Sequence, residues 1–306
     1  MHHKVSVIVI LAILILGAGC TGAAPENEIH KTAYPTLETP QTSLEIKEYV
    51  DSGAAWALEN GKDTALSAFG DPSGPFVNED IYIYALDYNG IALALPFQPE
   101  MVGEDFMPIL DASGKPYTKV EIMLAKEGGG YILYHYPYPA GDQPSRQKIS
   151  YVRPVDETYW IGAGVYTDEN LLITPELRRF VDVAKEFALE RGKDKALAAF
   201  NSEEGEFIDG ELYIFAYDYD GTVLAWPYRP DMIGVNRINA TDPMGSHHIQ
   251  AFIDTAGRGG GMVDYYSVNP FTNKTDLKIS YVTDVDGTWL IGCGQYIEPG
   301  QIVLRN

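Results

Sequence analysis

The sequence predicts an α+β fold that is built twice, each copy having a long N-terminal helix packed on a five-stranded antiparallel sheet. Two observations support this prediction. Residues 76–99 and 207–230 are near-copies, and each reads as two apolar strands joined by an Asn-Gly or Asp-Gly pair, which suits the positive φ angles of a tight hairpin loop. Around both hairpins the same order recurs, with an amphipathic helix before and an irregular segment and three strands after.

The repeat extends over whole domains. Residues 61–63 (Gly-Lys-Asp) return at 192–194, and residues 148–152 (Lys-Ile-Ser-Tyr-Val) return at 278–282. A match of this length indicates a duplicated domain and not a solenoid of short units. The expected parts are two domains and a short C-terminal tail, at 43–167, 173–298 and 299–306.

Each copy is expected to begin with a long helix, at 43–60 and 174–191, with Ser43 and Thr174 as N-caps and a glycine directly after each helix. The other elements expected in the first copy are a helix at 62–69, a strand at 81–86, a turn at Asn89-Gly90, a helix at 120–127, and strands at 131–136, 147–154 and 159–166. We expect the long helix to cover one face of the sheet. An irregular segment, at 96–117 in the first copy, should cover the other face, where a cavity can form.

The N-terminus is typical of an export signal. A short basic start precedes an apolar run at 5–16, which is too short for a membrane span and ends in small residues followed by Cys20. We expect a signal peptide at 1–20 and lipidation of Cys20, with an uncleaved anchor or ordinary cleavage as alternatives. Residues 21–42, rich in Pro, Thr, Glu and Ala, are expected to form a disordered tether. Lipidation, an uncleaved anchor and ordinary cleavage would all place the rest of the chain outside the cytoplasmic membrane.

Charge and composition exclude several classes of function. The chain has 306 residues and a formal net charge of −21, and phosphate binding needs clustered Lys and Arg, so nucleic acid is not an expected partner. Only Cys20 and Cys293 are present, which gives no disulfide framework. The common nucleophile, metalloprotease, phosphate-loop and dinucleotide motifs are absent from the sequence, so we expect neither an enzyme nor a cofactor. We expect His247 and His248 to be solvated loop residues and not metal ligands.

Six motifs follow one another in the same order in both copies. They are the hairpins at 81–96 and 212–227, Pro-x-Met-x-Gly at 99–103 and 230–234, Asp-x-x-Gly at 111–114 and 242–245, glycine runs leading to Tyr134 and Tyr265, Lys-Ile-Ser-Tyr-Val, and a closing Ile-Gly-x-Gly-x-Tyr. This set resembles the Cache family of extracytoplasmic sensor domains, which have a PAS-like fold, and in particular the single-Cache type of chemoreceptors and sensor kinases. The resemblance implies a small-molecule pocket over the sheet, often for short carboxylates. Leu95 and Trp226 replace a His of many relatives, which implies a different ligand chemistry.

Two lysines stand in otherwise apolar strands, Lys148 in the first copy and Lys278 in the second. A buried ammonium is costly unless it is paired. Each lysine is therefore expected to be solvated at a sheet edge, paired with a carboxylate, or facing an anion in a pocket. Strand alternation places Lys148 and Ser150 on one face and Tyr151 on the other, and we assign the pocket to the lysine face.

Several aromatic side chains are candidates for the same pocket. In the first copy they are Tyr82, Tyr84, Tyr134 and Tyr136, and in the second copy Tyr213, Phe215, Trp226 and Tyr265. Each Tyr can hydrogen-bond a carboxylate or serve only in packing. Because Phe215 replaces Tyr84 and Ser267 replaces Tyr136, we expect the two pockets to differ in size and polarity. The Asp residues at 111 and 242 are assigned to turns.

These observations predict a lipid-anchored extracytoplasmic sensor that binds a small organic molecule, with a short carboxylate favoured. It would signal through a separate membrane-embedded signalling or transport partner. The alternative is a structural or adhesive surface protein that keeps the fold without a ligand. A secreted hydrolase is a third hypothesis, which the absent nucleophile motifs disfavour. Asn239 and Asn273 each begin an acceptor sequon and are weak candidates for glycosylation.

Overall fold

Two five-stranded antiparallel sheets dominate the computed structural model, one in each half of the chain. The structure describes residues 34, 39–139 and 144–300. The expected signal peptide with Cys20, most of the tether and most of the tail lie outside the described residues. The predicted α+β fold, with a long helix and a five-stranded sheet in each copy, is confirmed. The exact domain limits stay predictions.

The first copy has its elements in the predicted order. They are α1 (Ser43–Asn60), α2 (Lys62–Phe69), β1 (Val77–Asn78), β2 (Ile81–Tyr82), β3 (Tyr84–Asp87), β4 (Ala92–Ala94), α3 (Tyr117–Lys126), β5 (Gly130–Tyr136), β6 (Arg146–Pro154) and β7 (Tyr159–Tyr166). The sheet order is β4-β3-β7-β6-β5, with antiparallel neighbours throughout. Strands β1 and β2 form a separate two-stranded sheet.

The second copy repeats this arrangement after a short helix. Its elements are α4 (Glu169–Leu172), α5 (Pro175–Arg191), α6 (Lys193–Phe200), β8 (Ile208–Asp209), β9 (Leu212–Tyr213), β10 (Phe215–Asp218), β11 (Val223–Ala225), α7 (His248–Gly257), β12 (Gly261–Val268), β13 (Thr275–Asp284) and β14 (Trp289–Tyr296). The sheet order β11-β10-β14-β13-β12 matches that of the first copy strand for strand. In the ranges that the structure covers, every helix is too short or too polar to span a bilayer.

The long helices begin as expected in one copy only. Thr174 caps α5 by accepting a hydrogen bond from the Leu177 N–H. The predicted cap Ser43 is wrong, because Thr42 caps α1 instead. Ser43 is buried as the first residue of α1, and its hydroxyl donates to the Glu298 carbonyl at 2.7 Å. The hydroxyl is therefore taken by the chain segment that follows the second sheet, which capping propensity cannot anticipate.

The hairpin differs from the prediction in two ways. The expected strand at 81–86 is interrupted at Ile83, so β2 pairs with β1 while β3 joins the main sheet. The connection is also longer than two residues, because the Asp87 N–H donates to the Ile91 carbonyl at 3.0 Å and leaves residues 88–90 as the loop. Within this loop Gly90 donates to the Asp87 carbonyl at 3.1 Å and has a positive φ of +88°. The Asp87 carboxylate accepts the N–H groups of Asn89 and Ile91, which stabilises the longer loop.

Each sheet lies between two layers. In the first copy α1 packs on β6 and β7, and α3 packs on β5 and β6 from the other side. The buried residues of α1 recur at helical spacing and include Ile46, Val50 and Ala57. The predicted arrangement is confirmed, with α3 adding to the irregular segment as cover for the second face.

The two copies contact each other along their outer strands. The Tyr266 hydroxyl of β12 donates to the Tyr131 carbonyl of β5 at 2.8 Å. The Lys115 ammonium pairs with the Asp264 carboxylate and also donates to the Leu133 carbonyl. Strand β13 also packs close to β5. The sheet of one copy is thus linked to the sheet of the other by specific polar contacts.

Candidate functional site

The face of the first sheet that lies opposite α1 carries a small cavity. Its volume is about 10 Å³, close to the space that one water molecule requires. All five candidates predicted for the first copy line it: Tyr82, Tyr84, Tyr134, Tyr136 and Lys148. Helix α3 closes the cavity with Tyr117 and Glu121, and Phe106 of the irregular segment completes the cover.

Lys148 is fully buried, so the predicted alternative of a solvated lysine is wrong. Its Nζ lies 4.1 Å from the centroid of the Tyr82 ring and 5.3 Å from that of the Tyr84 ring. These ring faces attract an ammonium. Among the described residues no hydrogen-bond acceptor contacts Nζ. A donor without a partner therefore stands on the cavity wall.

Glu121 was missing from the predicted site, and it is fully buried in the same cavity. Its Oε1 accepts a hydrogen bond from the Tyr84 hydroxyl at 2.6 Å. Burial raises the pKa of Glu121 to about 8, although the Tyr84 hydrogen bond and the charge of Lys148 act to lower it. Burial also lowers the pKa of Lys148 to about 7, against the opposing effect of Glu121. Burial therefore shifts both groups toward their neutral forms.

The second sheet has a much larger cavity at the same place. Its volume is about 320 Å³, within the range of roughly 300–1,000 Å³ usual for small-molecule pockets. Four candidates predicted for the second copy line it: Tyr213, Phe215, Trp226 and Tyr265. Lys278 lies behind Tyr213, and its Nζ donates to the Tyr213 hydroxyl at 2.9 Å. The predicted difference in pocket size is confirmed.

Two replacements remove the acid from the wall and add a cation to it. Phe252 of α7 takes the place of Glu121, and Arg237 takes the place of Phe106. Arg237 is half-buried, and the central carbon of its guanidinium lies 5.2 Å from the Trp226 ring centroid. Arg237 forms no ion pair with any residue that the structure describes. A half-buried cation without a counter-ion favours an anionic ligand.

A family model described as a Cache domain matches residues 76–299 and therefore spans both copies. The chain belongs to the Cache family. Cache domains are extracytoplasmic sensor domains of chemoreceptors and sensor kinases, and they typically bind small molecules instead of catalysing reactions. The resemblance drawn from the ordered motifs is confirmed.

Individual relatives match parts of the chain. The sensor histidine kinase MctS of Rhizobium johnstonii is 37% identical over 87 residues, which are 28% of this chain and 19% of the kinase. The periplasmic sensor domain of a chemotaxis protein is 26% identical, with 40% of this chain and 89% of that domain covered and a TM-score of 0.34. The ligand-binding domain of the Pseudomonas fluorescens chemoreceptor CtaA, solved with L-isoleucine, is 12% identical, with 81% of this chain and 82% of that domain covered and a TM-score of 0.25.

His248 of the second Cache copy corrects a prediction. His247 is exposed, but His248 is buried and lines the cavity, so the expected solvated loop pair is wrong. The His248 ring stacks on Tyr265 with centroids 5.0 Å apart and planes 7° apart. Burial and the charge of Arg237 lower the pKa of His248 to about 4, so the imidazole is neutral. Its Nδ1 has no hydrogen-bond partner among the described residues.

Asp242 has the turn role that the sequence predicts. Its Oδ1 accepts the N–H groups of Met244 and Ser246, and its Oδ2 accepts the Tyr266 N–H. Asp111 bonds its own turn and β5 in the same way. The Asp242 carboxylate therefore holds the roof of the second cavity against β12 and is occupied by the backbone.

The closing Ile-Gly-x-Gly motif makes room for the site. A Cβ added at Gly162 would lie 2.6 Å from the Tyr84 hydroxyl oxygen, and one added at Gly292 would lie 2.5 Å from the end of the Phe215 ring. Glycine at these two places lets the rings lie against the last strand of each sheet. Cys293, beside Gly292, is fully buried, and burial raises its pKa to about 12, as suits an unreactive packing residue.

Two surface predictions concern modification and metal binding. Asn239 and Asn273 are both exposed, as an acceptor of a glycan must be, and their glycosylation stays a prediction. In the parts of the chain that the structure covers, no cluster of His, Cys, Asp and Glu is suited to a metal ion.

Proposed function

We propose that this protein is an extracytoplasmic sensor that binds a small organic carboxylate in the cavity of its second Cache copy. The observation that carries the proposal is Arg237, a half-buried guanidinium on the wall of a cavity of about 320 Å³ and without a carboxylate partner among the described residues. Guanidinium binds carboxylate through two parallel, charge-assisted hydrogen bonds. The net charge of −21 repels anions in general, so such a ligand needs a local cation.

In the first Cache copy the cavity is nearly filled. Its lysine, Lys148, and the four surrounding tyrosines would reach a ligand oxygen only if α3 moved away from the sheet. We therefore assign ligand binding to the open cavity of the second copy, and we assign a closed cavity to the first copy. The predicted structural alternative, a Cache fold that holds no ligand, thus suits the first copy better than the second.

We also propose that lipidated Cys20 holds the protein at the outer face of the cytoplasmic membrane, where a membrane partner reads its ligand state. The order of basic start, apolar run and small residues before Cys20 supports this. Cys20→Ser should release the protein from the membrane fraction and remove the mass of the acyl groups. Membrane association that survives this substitution would contradict the lipid anchor.

The carboxylate proposal is tested by calorimetric titration of the full-length chain with short carboxylates. Arg237→Gln should weaken binding about 10- to 100-fold, since hydrogen bonds to a charged group contribute about 1.5–3 kcal/mol. The matched control is Arg229→Gln, because Arg229 is exposed at the same cavity and already pairs with Asp231. We expect little change in the control. Unchanged affinity in the Arg237 variant, or no binding of any acid, would overturn the proposal.

A further inference from the structure

The second cavity is walled mainly by aromatic rings. Trp226 and Tyr228 line it and are only half-buried, while Phe252 and Tyr265 form its inner side. A short-chain acid bound to Arg237 would leave most of the volume of about 320 Å³ to water lying against these rings. A ring-bearing acid would replace that water with stacked and edge-to-face contacts, which aromatic side chains favour at centroid distances of about 4.5–7 Å.

The wall also carries a single charge available to a ligand. Arg229 pairs with Asp231, and His248 is neutral because burial and Arg237 lower its pKa to about 4. Lys278 is shielded behind Tyr213. Among the described wall residues Arg237 is therefore the cation without a counter-ion, which matches one carboxylate and not two.

An amino acid finds no free carboxylate for its ammonium on the described wall. The carboxylate on the described wall is Asp242, which accepts three backbone N–H groups and is only 5% exposed. Turning it toward a ligand would break the bonds that hold the turn and β12. Phe252 occupies the place of the first copy's Glu121, so the position that could offer a second carboxylate is apolar. The unpaired Arg237 repels an ammonium as well.

We infer that the second cavity selects an aromatic monocarboxylate without an α-amino group. This inference rests on the proposed function, since it specifies the ligand of the same site. Arg237 holds the carboxylate, and the ring lies among Trp226, Tyr228 and Phe252. Phenylacetate is a suitable probe, with propionate as the acid without a ring and L-phenylalanine as the same ring with an α-ammonium.

The test is calorimetric titration of the full-length chain, in mild detergent, with these three compounds. We expect phenylacetate to bind at least about tenfold more tightly than propionate, a difference of about 1.4 kcal/mol, and L-phenylalanine to bind at least about tenfold more weakly than phenylacetate. Phe252→Glu, which installs the first copy's residue, should lower the affinity for phenylacetate and narrow its advantage over L-phenylalanine. Phe252→Leu is the control of similar polarity and should keep the preference for the acid without an amine.

The outcomes separate the two proposals. If propionate binds as tightly as phenylacetate and Arg237→Gln abolishes both, the carboxylate sensor stands and the aromatic inference is wrong. If L-phenylalanine binds as tightly as phenylacetate, the exclusion of the amine is wrong. If none of the acids binds, the proposed function itself fails.

Discussion

The two Cache copies share a fold and two of their cavity tyrosines, yet different ionisable residues line their cavities. The first copy buries Glu121 and Lys148 together in a cavity for about one water. The second replaces the acid by Phe252 and adds Arg237 beside an open cavity of about 320 Å³. A few side chains outside the shared sheet thus distinguish a nearly filled cavity from an open one, while the fold stays the same.

The lysine common to both copies differs in its hydrogen bonding but does not account for the open cavity of the second copy. Lys278 donates a hydrogen bond to the Tyr213 hydroxyl, whereas Lys148 has no such partner among the described residues. Both ammonium groups lie over tyrosine rings, at 4.2 Å from Tyr213 and 4.1 Å from Tyr82. The lysine is thus an interior group in both copies, and the cation on the wall of the second cavity, Arg237, comes from the irregular segment instead.

The largest predicted difference between the copies is in the pH dependence of the unfolding free energy. It should come from Glu121, the buried acid of the first copy. The pKa of Glu121 rises from 4.5 to about 8 on burial, so its contribution to stability is present at low pH and is lost as pH rises through this range. Between pH 5 and pH 7 the wild type should lose about 2–3 kcal/mol of unfolding free energy that Glu121→Gln does not lose. Over this range Lys148, with a pKa of about 7, adds little slope.

Urea unfolding at pH 5, 6 and 7 measures this difference. Glu190→Gln removes an exposed acid of α5 and should keep the wild-type slope, which makes it the control for a general charge effect. If Glu121→Gln has the same pH slope as the wild type, then the first cavity does not hold a protonated acid. The exchange of Glu121 for Phe252 between the copies would then not be an exchange of a protonated acid for an apolar side chain.

A smaller difference is expected between the two lysines at pH 7. Lys278→Met should cost about 1–2 kcal/mol, because the Tyr213 hydroxyl loses its donor and stays buried. Lys148→Met should be neutral or stabilising, since the removed group makes no hydrogen bond among the described residues and Met fills a similar volume. Thermal unfolding of the two variants tests this. Equal losses in both would show that the lysines have the same role.

Much of the sheet was predictable because strand alternation depends on local sequence. The bounds of α2 and β7 are those expected, and Tyr134 and Tyr136 fall on the face of Lys148 as parity requires. The break at Ile83 was not predictable from alternation, since the strand is apolar on both faces and its pairing with β1 depends on tertiary contacts. The alternation of residues along each strand was therefore enough to identify the strand residues that line the cavity.

The other side of the site escaped sequence reasoning. Glu121, Arg237 and His248 come from helices and irregular segments whose packing on the sheet is not set by strand parity. One signal was present for the first of these, since Glu121 precedes the apolar Leu124 and Ala125 by three and four residues in the helix predicted at 120–127. Comparing the two copies position by position would also have exposed the exchange of Glu121 for Phe252.

The smallest effect concerns the contact that joins the copies. Tyr266 lines the second cavity and donates to the Tyr131 carbonyl of the first sheet, so Tyr266→Phe should cost about 1 kcal/mol of unfolding free energy and make the two copies unfold less cooperatively. Lys115→Met, which removes the ion pair with Asp264 and the hydrogen bond to the Leu133 carbonyl, should also lower the unfolding free energy. Urea unfolding followed by tryptophan fluorescence reports both. If Tyr266→Phe leaves stability and cooperativity unchanged, the Tyr266 hydrogen bond does not couple the two copies, and each copy unfolds independently of this contact.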